Sequence, residues 1–120
     1  MGRIRNSAKA LIIKDGKMAA IKIRDAGEEW YIMPGGGQEA GETLNEAVCR
    51  EVSEELGIAI ECKELLFVVE GVHGETFHRV DLIFSCEIFC ECPQNLVKQR
   101  ITPHFLTTDH PNYYEFTTKG

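Results

Sequence analysis

The chain has 120 residues, with 19 acidic against 13 basic side chains and a formal charge of −6. That length suffices for one domain around one core, without disulfides or a structural metal. The acidic balance argues against a nucleic-acid binder, which needs a basic face. No apolar run reaches the ~20 residues of a membrane span, and Arg3 and Arg5 precede no apolar stretch of signal-peptide length, so a cytoplasmic protein without a membrane partner is expected.

Ala8 to Ile13 is apolar and β-branched and reads as a strand. Asp15-Gly16 is a hairpin turn signal, and Met18 to Ile23 reads as the returning strand. Trp30 to Met33 forms a short aromatic strand, stopped by Pro34 and three glycines. A helix follows from Leu44 to Leu56. Thr43 and Glu46 make a capping box at its start, and Gly57 fits its left-handed stop. Ile58 to Val69 reads as one or two strands, and Val80 to Phe89 as another. Strands around a helix, with turn-linked pairs, predict an α/β domain on a mixed sheet.

Residues 93–120 have a different composition, with three of the four prolines and several threonines. The expected division is therefore a core over 1–92 and an atypical tail over 93–120. A short helix near Asn95 to Arg100 is the only element the tail suggests.

The five cysteines include no Cys-x-x-Cys pair, so they read as reduced, small apolar side chains rather than a zinc site.

At about 100° per residue, Val48, Val52 and Leu56 share one face of the helix, and Glu51, Glu54 and Glu55 share an arc roughly 100° wide. Three neighbouring carboxylates repel one another. They also lie in the last turns, where the helix dipole disfavours negative charge. Two readings stay open on the helix alone. One is a solvated acidic face; the other is a carboxylate cluster for a hard cation such as Mg²⁺ or Mn²⁺. Gly35-Gly36-Gly37 lies between strand and helix, where bare backbone can meet an anion or a metal. It is not a P-loop, because no Gly-Lys-Ser/Thr follows.

The stretch from Gly36 to Ile58 resembles the box of the Nudix hydrolases, G-x5-E-x7-R-E-U-x-E-E-x-G-U with U aliphatic. Gly36, Glu42, Arg50, Glu51, Val52, Glu54, Glu55, Gly57 and Ile58 fill every specified position. From average residue frequencies, chance agreement is on the order of 10⁻⁸. The strand and loop from Trp30 to Gly37 extend the resemblance upstream.

The resemblance implies an α/β/α sandwich around a mixed sheet. It also implies Mg²⁺-dependent attack of water on a pyrophosphate bond in a nucleoside diphosphate linked to a further group. Glu51, Glu54 and Glu55 then match the metal carboxylates, with the carbonyl of Gly35 or Gly36 as main-chain ligand and Mn²⁺ as a substitute cation. Arg50 would position the carboxylates by pairing with Glu42, a structural residue of the box like Gly57. Glu51 is the favoured general base and Glu54 its competitor; Glu70, Glu75, Glu87 and Glu91 are later alternatives. Gly36 and Gly37 would approach the substrate.

Outside the box, Arg24 could face phosphate and Trp30 could stack on a base, although solvated strand charges and buried aromatics are the plainer readings. His73 and His78 read as ordinary surface or loop residues. No proline falls between Pro34 and Pro93, which argues against ADP-ribose, and a nucleoside triphosphate or modified nucleotide is the remaining substrate. A catalytically silent nucleotide-sensing or protein-binding module is the alternative function. The unusual tail leaves a homodimer open.

Overall fold

A computed structural model describes residues 3–74, 76–90, 101–105 and 113–118. Strands β1 (Ile4–Lys14) and β2 (Lys17–Asp25) are joined at Asp15-Gly16, both at positive φ (53° and 73°). Such a two-residue turn matches the twist of paired strands. β3 (Glu28–Ile32) returns along β2 through a second turn of the same kind at Ala26-Gly27. Both β2 and β3 thus run two residues nearer the turn than the sequence indicates. Ala26 carries no turn signal, yet it takes a φ of 50°, and cross-strand pairing extends to Asp25 and Glu28.

The glycine segment forms β4 (Gly35–Gly37), antiparallel to β1 at Ser7–Lys9. Helix α1 (Leu44–Leu56) has the expected limits. Thr43 and Glu46 exchange both capping-box hydrogen bonds, and Gly57 ends the helix in the left-handed region. β5 (Ala59–His73) is one long strand with register shifts near Ala59, Cys62 and Leu65. It pairs antiparallel with β6 (Phe77–Cys90), and β6 runs parallel to β1 from Ile4 to Ile12. His73 and His78 therefore lie on strands, not in a loop.

The tail contributes β7 (Ile101–Phe105) and β8 (Tyr113–Thr118), paired with each other. The strand order is β5-β6-β1-β2-β8-β7, with β2 parallel to β8. Pro103 interrupts the strand pattern of β7 because it has no N–H to donate. Such a residue is tolerated at a sheet edge, and β7 is an edge strand here. The helix expected near Asn95 to Arg100 lies outside the described residues.

The fold is α/β on a mixed sheet, and α1 is the helix among the described residues. Its apolar face, Ala47, Val48, Val52 and Leu56, packs in one cluster with Ala8, Ala10 and Ile12 of β1, and with Ile21, Ile58 and Ile60. Two-residue spacing puts Ala8, Ala10 and Ile12 on one face of β1, and the small side chains of Ala8 and Ala10 admit the helix closely. Cys86 belongs to the same core. Cys49, Cys62 and Cys86 are free thiols, and burial raises the pKa of each, which keeps them neutral. No helix among the described residues is long and apolar enough to cross a membrane.

Candidate active site

α1 and β4 bring the acidic cluster together, and Arg50 is its hub. Its Nε and Nη2 donate to the two oxygens of Glu42 at 3.0 and 2.8 Å, a bidentate fork. Nη2 also donates to the Gly37 carbonyl at 2.9 Å. Nη1 reaches Glu51 at 2.8 Å and Glu54 at 3.3 Å. One guanidinium thus ties the loop to the helix and relieves repulsion among three carboxylates. Its fork holds the Glu42 carboxyl down to a pKa of about 2, helped by the Glu39 N–H. The carboxylates in turn hold Arg50 charged.

Glu55 has a different environment. It accepts the Gly35 N–H at 2.8 Å. Burial, the largest influence, pushes its pKa up to about 7; the Gly35 hydrogen bond opposes this, and Glu51 adds to it.

Two glycines are required by these contacts. Gly35 has a φ of 137°, and a Cβ there would strike the Ala8 carbonyl and lie 2.7 Å from Lys9 Cα. A Cβ on Gly36 would lie 2.6 Å from the carboxyl carbon of Glu51. The Glu51 carboxylate therefore rests in space that only glycine leaves open.

The donor set fits a hard divalent cation in its chemistry, since every donor is oxygen. A half-buried carboxylate with a raised pKa, such as Glu55, is one whose ionised form a cation would stabilise. As the side chains stand, however, no three His, Cys, Asp or Glu groups among the described residues converge on a metal position. Arg50 Nη1 is held by Glu51 and Glu54, and Glu55 is turned to Gly35. Nη1 engages one oxygen of each, Glu51 Oε1 and Glu54 Oε2.

Beside the loop lies a cleft of about 410 Å³, lined in part by Arg3, Arg5, His78 and Arg79, with Gly37 on its wall. Arg79 donates to Asp81 at 2.9 Å, and Asp81 is also bonded to the buried Ser7 hydroxyl. His78 Nε2 is 2.8 Å from Glu70. Lys9 stands between cleft and carboxylates. Burial lowers its pKa, as does Arg79, against the opposing influence of Glu55, Asp81 and Glu51. Sequence reading missed Lys9, Arg79 and the cleft, and passed over His78.

The structure brings Gly35, Gly36, Gly37, Glu42, Arg50, Glu51, Glu54 and Glu55 together. Gly57 caps the helix that carries the acidic residues. Arg24 is instead paired with Glu29 at 2.9 Å across the β2–β3 hairpin. Trp30 is partly exposed on β3, opposite Ile23. Neither lines this cleft. Of the alternative bases, Glu70 meets His78, and Glu87 lies 3.9 Å from Lys63. Glu75 and Glu91 fall outside the described residues.

Comparison with known proteins places this geometry. Residues 3–105 match the NUDIX domain family. A MutT-like protein of Streptomyces ambofaciens is 38% identical over 81 residues, 67% of this chain and 49% of that protein. An ADP-ribose pyrophosphatase of Methanocaldococcus jannaschii is 34% identical over 80 residues, 65% of this chain and 47% of that protein. The chain thus spans about half the length of these curated relatives. Among solved structures, a MutT Nudix hydrolase from Burkholderia pseudomallei superposes with a TM-score of 0.66 at 32% identity, covering 78% of this chain and 74% of that one.

Proposed function

This chain belongs to the Nudix hydrolase family, and we propose that it hydrolyses a pyrophosphate bond in a nucleoside diphosphate linked to a further group, with Mg²⁺ as cofactor and Mn²⁺ as its substitute. The observation that carries this reading is the constellation around Arg50: four box glutamates gathered by one loop and one helix, with Glu55 half-buried and pushed towards neutrality. A merely solvated acidic face would not shield one carboxylate enough to raise its pKa or require glycine opposite another.

In this reading Glu51, Glu54, Glu55 and a main-chain carbonyl of Gly35 or Gly36 hold the cation. When bound, it neutralises phosphate charge, polarises the P–O bonds and acidifies a bound water. Glu51 takes the proton of the attacking water, with Glu54 as the competing base. Arg50 positions both, because its grip on Glu42 and Gly37 fixes it to the loop. Gly36 and Gly37 let the substrate approach the backbone. Arg24 and Trp30 on the β2–β3 hairpin are the proposed contacts outside the box.

The relatives' names do not select a substrate. One is an ADP-ribose pyrophosphatase and another MutT-like, and a nucleoside triphosphate or modified nucleotide remains our assignment. A panel of (d)NTPs, ADP-ribose, NADH, dinucleoside polyphosphates and nucleotide sugars tests it, with Mg²⁺, Mn²⁺ or EDTA. Turnover that EDTA abolishes is expected, and Glu54→Gln should cut it ~10²-fold or more. Nucleotide binding without any turnover would favour the sensing module instead.

A further inference from the structure

The cleft beside Gly37 is basic in an acidic protein. Among the described residues, Arg3, Arg5, His78 and Arg79 line it and no Asp or Glu does. Arg79 and His78 have carboxylate partners in Asp81 and Glu70. Arg3 and Arg5 have no ion-pair partner among the described residues. The arrangement is set by the sheet. β1 and β6 run parallel with Arg5 opposite Arg79 and Ser7 opposite Asp81, so like charges face each other at the cleft mouth. Like charges directly opposite on neighbouring strands are destabilising; Asp81 meets Arg79, but in a chain with 19 acidic residues no described carboxylate meets Arg3 or Arg5. An anion from outside would relieve the repulsion.

We infer that this cleft is an anion subsite, and that the substrate carries a second phosphate group beyond the diphosphate that is cleaved. This rests on the hydrolase reading and narrows its substrate class. Gly37 is common to both places: its carbonyl is bound by Arg50 of the carboxylate cluster, and the same residue lines the cleft. A diphosphate held at the cluster therefore extends past Gly37 into the arginines. Guanidinium groups match phosphate oxygens in bidentate geometry, and Phe77 on the same wall offers an apolar face to a sugar or base. A neutral base alone would leave Arg3 and Arg5 unmatched. The volume, about 410 Å³, is within the range of ligand pockets.

The phosphate could come from the 2′ or the 3′ position of a nucleotide, and matched pairs separate the two. NADPH against NADH tests the first. Coenzyme A against dephospho-coenzyme A tests the second. In Mg²⁺, the phosphorylated member of at least one pair should have a kcat/KM at least ~10-fold higher, expressed in KM, with the ratio shrinking as salt rises. Binding is measured separately in EDTA, by calorimetry with adenosine 2′,5′-bisphosphate, adenosine 3′,5′-bisphosphate and AMP. At least one bisphosphate should bind ~10-fold tighter than AMP or better. The Arg3→Met/Arg5→Met double variant should bring that ratio close to one. Both side chains are exposed, and an unchanged thermal melt checks the fold of the variant. Equal binding of both bisphosphates and AMP by the wild type overturns the subsite, as does a preference that survives the double variant. Because these binding runs need neither metal nor hydrolysis, a retained preference without turnover of any diphosphate would sink the hydrolase reading and leave the subsite standing.

Discussion

Replacing Glu55 by glutamine separates what this carboxylate costs the fold from what it does in the site. Burial raises its pKa from 4.5 to about 7. An acid whose folded pKa exceeds its unfolded value does not change stability below the unfolded pKa. It lowers stability as pH rises between the two values, and leaves a constant deficit above the higher one. The window here is pH 4.5 to about 7. At about 1.4 kcal/mol per pH unit, the deficit at pH 8 is on the order of 3 kcal/mol as an upper figure. Glutamine removes the charge, keeps the shape, and still offers an oxygen to the Gly35 N–H. In EDTA at pH 8, Glu55→Gln should therefore be more stable than wild type by about 1–3 kcal/mol, or several degrees in Tm. At pH 4.5 or below the two should coincide. In Mg²⁺, turnover should fall ~10²-fold, so stability and activity move in opposite directions, as expected where a strained charge serves function. Thermal melts from pH 4 to 8.5, beside an activity assay, read both quantities. If the variant is less stable than wild type at pH 8, the ionised carboxylate is favourably paired in the metal-free protein, and the reasoning from burial fails.

The same contacts predict three further outcomes. Gly36→Ala places a Cβ 2.6 Å from the Glu51 carboxyl carbon, so turnover should drop ~10-fold or more as that side chain shifts; normal turnover would show that Glu51 has no fixed place there. Glu42 has a folded pKa depressed to about 2, so its contribution is present above the ordinary carboxyl pKa and lost as pH falls through about 2. Glu42→Gln should thus flatten the acid limb of the stability curve, and parallel limbs would mean that the Arg50 fork does not stabilise the fold. Trp30→Ala should raise KM for base-containing substrates roughly 5-fold or more, with kcat little changed, if its ring stacks on the base; a KM unmoved for every substrate removes Trp30 from the site.

What was legible in the sequence was what local signals encode. α1 has its expected ends because Thr43, Glu46 and Gly57 are read within one turn of chain. The box gathers its glutamates for the same reason: loop and helix are contiguous, and Arg50 needs to reach back only eight residues to Glu42. Strand ends were missed at Ala26, which turns without being a turn residue, and in the tail β7 and β8 were missed whole, the first because Pro103 hides an edge strand. The cleft was not legible at all. Its arginines come from distant parts of the sequence, Arg3 and Arg5 near its start and Arg79 more than seventy residues later, and only the parallel register of β1 and β6 makes them neighbours. His78 looked ordinary for the same reason, since its partner Glu70 stands on the adjacent strand.

β1 alternates between two sets of neighbours. Ala8, Ala10 and Ile12 belong to the core cluster, while Arg3, Arg5, Ser7 and Lys9 stand at the odd positions, towards the cleft, Asp81 and the acidic cluster. The two sets are interleaved residue by residue, so inserting or deleting a single residue in this strand would exchange them. Substitution is a different matter. Odd positions can be exchanged one at a time without enlarging or emptying the core, so this strand gives a route by which ligand preference drifts among descendants while the scaffold stays fixed.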